Sequence, residues 1–305
     1  MPRYIITRVL YTLPVIWLVV STVFVLIHFV PGDPIQQMLG EGAAAGDIQA
    51  ARHAFGLDVP LGEQYLNYWR GVLHGDLGKS LRFNQGVSEL IAQRYPFTLQ
   101  LTLASLFVAI VLAIPAGVRS AERRNQWEDR ALSVVSLFGL SFPNFALGPV
   151  LILFFAIKLG WLPVSGSGSL AHLILPSITM GGALAAILTR MVRTSMLEEL
   201  SQDYVRTARA KGLPERTVVY RHALRNAMIP ILTVVGLQFG ALLAGAIVTE
   251  KIFSWPGIGR LTIDAIGNRD YNLVQGCILA IGLTYVAVNF LTDLLYSTVN
   301  PRIRQ

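Results

Sequence analysis

Residues 9–30 contain no charged side chain. At about 1.5 Å of rise per residue, such a run crosses a hydrocarbon layer of roughly 30 Å as a helix. Inside lipid the backbone has no water to bond, so a lone spanning segment has to satisfy its own amides, and only a helix does that. Apolar runs recur at 97–118, 131–157, 173–192, 228–248 and 273–295, the third interrupted by Ser141-Phe142-Pro143-Asn144. The chain therefore reads as an all-α membrane protein with six transmembrane helices. Only 14% of its 305 residues are charged, against about 25% for an ordinary soluble domain. A cleaved signal peptide is the competing reading of the first run. Its length exceeds an ordinary signal core, and Val30-Pro31-Gly32-Asp33-Pro34 offers no small-x-small cleavage site, so 1–30 is expected to stay as a helix. His28 within it reads as interfacial or packed.

Six spans place both termini on one side of the membrane. Of the 25 Lys and Arg residues, sixteen fall in the tails, in 119–130 and in 190–226. This bias makes those segments and both termini cytoplasmic. The net charge of +7 then belongs to inner loops and not to a nucleic-acid face. Residues 31–96 become the only sizeable external segment, with helical patterns at 48–55 and 64–73. Residues 298–305 are a short cytoplasmic tail. Trp161 and Trp255 read as interfacial anchors. The single cysteine, Cys277, permits no intramolecular disulfide and reads as packing.

The polar island 190–230 stands apart from the surrounding apolar sequence. Two short phased runs, Leu200, Tyr204 and Ala208, then Val218 and His222 with Tyr220 and Leu224 one turn offset, predict two helices. Between them Gly212 suits a left-handed C-terminal cap, Leu213 can pack back on the first helix, and Pro214 fits the first turn of the second. Arg206, Arg209, Lys211, Arg216, Arg221 and Arg225 project from this elbow. A solvated loop needs no phased apolar face and no Gly–Pro joint, so a docking knuckle is favoured. A DNA-binding helix–turn–helix would need a soluble domain with its own core, whereas this segment is held between two spans.

Other signals are weaker. Gly78-Lys79-Ser80 imitates the end of a phosphate-binding loop, but Leu73 stands where that motif requires glycine. Asn144, Gln238 and Asn289 lie at membrane depth and line either a solute path or interhelical hydrogen bonds. Gly236 and Gly240 form a GxxxG pair suited to close helix packing. No buried ionisable cluster suggests a proton relay, which counts against an ion- or proton-coupled carrier working alone. The five histidines are scattered, with no metal-ligand spacing. Nothing marks an enzyme.

Several phrases in order carry a resemblance: VPGDP at 30–34, GLSFPNFALG at 139–148, GWLP at 160–163, RTARAKG at 206–212, HALRNAMIP at 222–230, EKIFSWPGIGRL at 250–261, NRDYNLVQG at 268–276 and NPRIR at 300–304. Together they resemble the binding-protein-dependent ABC importer permeases of the dipeptide/oligopeptide branch, which includes glutathione and nickel relatives. Residues 206–208 stand in the slot of that family's Glu-Ala-Ala loop, with Arg206 in the Glu position, Gly212 at the family spacing and His222 in an Ile position. The resemblance implies a type I importer permease fold, with 97–297 as its core. It implies that Arg206, Thr207, Ala208, Arg209, Lys211, Gly212, Leu213 and Pro214 couple to an ATPase, and that ATP and Mg are held by partners, this chain needing no cofactor. The implied partners are a homologous second permease, two ATP-binding cassette subunits and an extracytoplasmic solute-binding protein, with no nucleic acid. The implied setting is a bacterial inner membrane and the implied cargo a small peptide.

Overall fold

The computed structural model describes residues 2–28, 35, 43–54 and 58–299. Among them, five helices are long and apolar enough to cross a membrane, or up to six if one bent pair is a single span. In chain order the helices of the described residues are α1 (Pro2–His28), α2 (Ala45–Ala54), α3 (Leu61–His74), α4 (Val87–Glu122), α5 (Trp127–Ser141), α6 (Asn144–Leu151, widening to a π-helix over Ile152–Lys158), α7 (Ala171–Leu200), α8 (Asp203–Ala210), α9 (Glu215–Ile252), α10 (Ile258–Gly267) and α11 (Tyr271–Val299), of which α1, α4, α7, α9 and α11 are the five of spanning length. The bent pair is α5 with α6, broken at the expected Phe142-Pro143. Pro143 holds an extended conformation (φ −65°, ψ 135°) and caps α6, since proline cannot continue a helix in place of its missing N–H. The tail 300–305 and the phrases at 30–34 and 300–304 lie outside the described residues, as does the side chain of His28.

Several helices outrun the apolar runs that announced them. The second span was expected at 97–118, yet α4 starts at Val87, inside the segment read as external, and passes Pro96 and Pro115 without a break. Ser88, Glu89, Gln93 and Arg94 conceal this start by composition, while Val87, Leu90 and Ile91 are buried on one face. α7 likewise continues to Leu200 instead of stopping at 192, and α9 begins at Glu215 instead of 228. A helix leaving the hydrocarbon needs no apolar side chain on its solvent face, only continued backbone pairing.

The chain divides into two compact units. The first comprises 1–98 and 256–287. Here α3 packs on α1 through a small core of Val20, Val23 and Leu279 with Tyr68 and Trp69. The Tyr65 ring meets Phe24 edge-on with centroids 5.3 Å apart, and the Tyr65 and Ser21 hydroxyls are 2.7 Å apart. A second core joins Val87, Leu90 and Ile91 to Ile258, Leu261, Leu273 and Cys277, so the lone thiol is packing, as expected. Asp270 is fully buried and ties the turn at 76–86 to the start of α11. It accepts hydrogen bonds from the Ser80 hydroxyl and from the N–H groups of Arg82 and Leu273, both at 3.2 Å. The Gly78-Lys79-Ser80 phrase thus belongs to a turn closed by a Lys79–Gly86 bridge, with its serine committed to Asp270.

The second unit comprises 99–255 and 288–305. α4 and α7 approach backbone to backbone at glycines. A Cβ on Gly181 would lie 2.5 Å from the Ser105 carbonyl oxygen, and one on Gly117 would lie 2.5 Å from the Val192 Cβ. Gly236 plays the same role between α9 and α11, where a Cβ would collide with Thr292. Of the GxxxG pair, Gly236 therefore makes a close helix contact, with Thr292 as its partner. Trp255 corrects an expectation, being 2% exposed and no interfacial anchor. Ser254 takes φ 51°, which reverses the chain and turns the indole inward. Trp161 is 69% exposed.

Candidate coupling site

The polar island folds as an elbow, but its limits differ from those read in the sequence. Residues 190–200 are the end of α7, and the second helix of the elbow is the start of the spanning helix α9. Only α8 is a separate element. Its turn closes with the two bonds that define a Schellman cap: Gly212 N–H to the Arg209 carbonyl at 2.9 Å, and Leu213 N–H to the Ala208 carbonyl at 3.4 Å. Gly212 sits at φ 74°, in the left-handed region. Pro214 is the N-cap of α9 (φ −56°, ψ 138°), one residue earlier than the expected first turn. Its carbonyl accepts from Thr217 N–H at 2.8 Å and from Val218 N–H at 3.1 Å. After an opening α-turn at Glu215–Thr217, α9 widens to a π-helix over Val218–Ala223.

The buried face also differs from the expected one. Val205, Ala208, Val218, Val219 and Ala223 are buried, whereas Tyr204, Leu213 and Tyr220 are exposed and His222 is half-buried. The π-turn widens the helical period beyond the regular spacing used to phase the run, which brings the adjacent pair Val218 and Val219 inward together. These residues join one core with Val118 and Ala121 of α4, Val192 and Met196 of α7, and Ala227 and Ile231 of α9. Burying each valine stabilises this junction by roughly 1.5–3 kcal/mol. The elbow and the adjoining ends of α4, α7 and α9 therefore pack as one body.

Two polar braces fix the geometry. Arg209 spans the turn to Glu215 in a bidentate pair at 3.2 and 2.6 Å. That carboxylate raises the Arg209 pKa above its ordinary value. The second brace went unread in the sequence. Asp129, at the start of α5, is 3% exposed. It accepts from Arg193 Nε at 2.6 Å and Nη2 at 2.9 Å, from the Ser120 hydroxyl at 2.5 Å, and from Asn125 N–H at 2.9 Å. One carboxylate thereby holds the ends of α4, α5 and α7 together. Asn125 takes φ 64° to make its bond, and asparagine tolerates that conformation.

The remaining elbow residues form its outer face. Arg206, Thr207 and Lys211 are exposed. Arg206 reaches Asp203 at 3.3 Å, an exposed pair worth little. Thr207 bonds its own helix, donating to the Asp203 carbonyl at 2.9 Å. The structure thus separates the site residues into the buried Ala208, the exposed but paired Arg209, and an outward set, Arg206, Thr207 and Lys211. The membrane-depth candidates are not assembled into a site. Gln238 in α9 and Asn289 in α11 are half-buried and not hydrogen-bonded to one another among the described residues. Asn144 opens α6, and its side chain lies outside the described residues.

Residues 109–305 match the family described as binding-protein-dependent transport system inner membrane component. Residues 1–102 match the N-terminal part of the binding-protein-dependent transport system membrane components. The glutathione transport system permease protein GsiC of Escherichia coli K12 is 45% identical over 304 residues, covering 100% of this chain and 99% of that protein. GsiC of Shigella flexneri serotype 5b is equally similar, at 45% over 304 residues. Among solved structures, an inward-facing form of the MetNI methionine ABC transporter aligns with a TM-score of 0.58 at 19% identity, over 69% of this chain and 96% of that one.

Proposed function

The chain belongs to the binding-protein-dependent transport system inner membrane components, as an ABC importer permease of the dipeptide, oligopeptide and glutathione family with the type I fold, and from that premise we propose that it forms half of a translocation path for small peptides of the glutathione or dipeptide class, driven by ATP hydrolysis on separate subunits. The partners in this reading are a homologous second permease, two ATP-binding cassette subunits that hold ATP and Mg, and an extracytoplasmic solute-binding protein. The setting is a bacterial inner membrane.

One observation carries the reading. The elbow α8 shares a single core with the adjoining ends of three helices, α4, α7 and α9. A force applied to the outward face at Arg206, Thr207 and Lys211 is passed to those helices as a rigid displacement, because packed cores shift between discrete arrangements and do not deform continuously. The Schellman turn and the Arg209–Glu215 pair keep the elbow from absorbing the movement. A chain with such a handle is suited to being moved by a motor docked on it. The cargo assignment rests on the relatives named for glutathione transport.

The test is reconstitution. The permease is co-expressed with its candidate partner permease and ATPases, placed in liposomes, and supplied with binding protein and labelled glutathione or dipeptide. The expected result is uptake that requires ATP inside the orientation-matched face and disappears when the ATPase subunits are omitted. Uptake by the permease alone, driven by an ion gradient, overturns the proposal.

A further inference from the structure

α3, α8, α9 and α10 end in the same pair of backbone bonds, each closed across one residue in the left-handed region. In α3 and α8 that residue is Gly75 (φ 73°) and Gly212 (φ 74°), which adopt it freely. In α9 it is Ser254 (φ 51°), a short and half-buried side chain. In α10 it is Arg269 (φ 55°), whose N–H donates to the Ile266 carbonyl at 3.1 Å while Asp270 N–H donates to the Ala265 carbonyl at 2.9 Å. A residue with a Cβ is disfavoured in that conformation by about five- to thirtyfold. The Arg269 side chain is exposed and makes no ion pair or hydrogen bond among the described residues. No contact it makes there offsets the strain.

Arg269 belongs to a rigid double turn. Four bonds hold 79–82 against 268–272: the Ser80 hydroxyl to Asp270, Arg82 N–H to Asp270 at 3.2 Å, Arg82 Nη1 to Asn268 Oδ1 at 2.7 Å, and Asn272 Nδ2 to the Lys79 carbonyl at 3.0 Å. Lys79, Arg82 and Arg269 are exposed on it, with Phe83 and Ile266 at 46% and 56% exposure. Its carboxylates are committed. Asp270 is buried, Asp264 faces Arg260 at 3.7 Å, and Asp76 accepts from Gly78 N–H at 2.9 Å.

The positive-inside bias puts both turns on the external side, where topology gives no reason for a cluster of cations. The C-terminal dipole of α10 attracts a cation about two- to fivefold, and anionic headgroups do so about fivefold. An arginine one or two residues away in a regular conformation would serve either purpose, so neither accounts for one held at φ 55°. A partner of fixed shape does. A guanidinium preset on a rigid turn loses little freedom on meeting a carboxylate, and that bond strengthens binding about ten- to hundredfold. Arginine beside exposed aromatic surface is also the composition of a protein interface. We infer that the double turn bearing Lys79, Arg82 and Arg269 docks an acidic surface of a soluble external protein, the solute-binding protein of the proposed importer, with Arg269 as the anchor. The identity of the partner rests on the function proposed above.

The experiment uses the importer complex of the reconstitution, in nanodiscs of phosphatidylcholine alone, and measures its affinity for labelled solute-binding protein. Arg269→Gly removes the charge and the strain together. It is expected to bind the protein about tenfold more weakly or worse, while its unfolding midpoint equals or exceeds that of the parent; a residue serving only the fold would lose stability instead. Arg269→Lys, which keeps the charge, is expected to lose less affinity than the glycine variant. Arg70→Gln, at an exposed cation on α3 outside the double turn, is expected to bind like the parent. Parental affinity in Arg269→Gly overturns the inference. Equal weakening by Arg70→Gln overturns it too, by reducing the site to a general attraction between charges. A loss seen only after phosphatidylglycerol is added to the nanodiscs assigns Arg269 to headgroups and also overturns it. None of these results bears on the requirement for ATPase subunits, which the uptake assay reads separately.

Discussion

Replacing Asp129 by alanine tests whether one carboxylate holds the elbow's foundation. Asp129 is 3% exposed, and its partner Arg193 keeps 28% of its side-chain surface in contact with solvent. Removing one member of a buried pair costs about 3–5 kcal/mol, because the other charge is left without compensation. The partial exposure of Arg193 moves the expected cost toward the lower bound. The bonds from the Ser120 hydroxyl and Asn125 N–H add about 1 kcal/mol each. A destabilisation of roughly 5 kcal/mol follows. Replacing both partners, as Asp129→Leu with Arg193→Met, removes the charges and fills the space, and such exchanges are often close to neutral. The double variant is therefore expected to recover at least half of the loss, and the cycle built from Asp129→Leu, Arg193→Met and their combination to show a favourable coupling of at least about 2 kcal/mol. The assay is reversible unfolding in mixed micelles of a mild detergent and dodecyl sulfate, followed by near-ultraviolet circular dichroism. If the double variant unfolds as easily as the sum of the single ones, the pair is not a coupled brace and the reasoning fails.

Further outcomes follow from the same geometry. Gly212→Val places a β-branched residue at φ 74° and is expected to cost roughly 1–2 kcal/mol or more locally. Gly212→Asn, which tolerates the left-handed region, is expected to retain most peptide uptake while the valine variant inserts normally but loses it; equal uptake by both refutes the role of the turn. Gly236→Leu drives a side chain into Thr292 and is expected to lower the unfolding midpoint in detergent, with Gly245→Leu, where an added Cβ meets nothing within 4 Å, as the neutral comparison. Asp270→Ala leaves Ser80 and two backbone N–H groups without their acceptor, a loss of about 1–3 kcal/mol for each buried group stranded. Faster proteolytic nicking of 76–86 in intact spheroplasts is the measurement that checks it.

What the sequence disclosed, and what it withheld, divides along the range of the interactions involved. Gly212 could be placed because its reason is local: a left-handed residue following a helix selects glycine, and the two bonds that close the turn join residues within five positions of one another. The break at Phe142-Pro143 was legible on the same grounds. The helix ends at Val87, Leu200 and Glu215 were not, because hydropathy reports solvent and not backbone pairing, and a helix can continue in water on one buried face. The inner face of the elbow was misphased for a related reason. Its residues 218–223 depart from the regular period, and no composition signal marks a π-turn. Trp255 was assigned to an interface by residue type alone, whereas a positive φ at Ser254 directs it inward. The Asp129–Arg193 brace joins residues 64 apart in sequence, and an Asp in the first turn of a helix beside a basic loop already has a sufficient local reason to be there as a dipole partner. That local reason hides the long-range one. The consequence for the mechanism is direct. Under the proposed coupling role, the residues that shape the elbow are readable from its own turn, but those that would carry a pull on it to the spans lie in α4, α5 and α7. Variants that weaken Asp129, Arg193 or Ser120 are therefore expected to depress transport without touching the docking face, leaving the affinity for the ATPase unchanged in pull-down; a matching loss of affinity would mean that the brace shapes the docking surface and not the transmission.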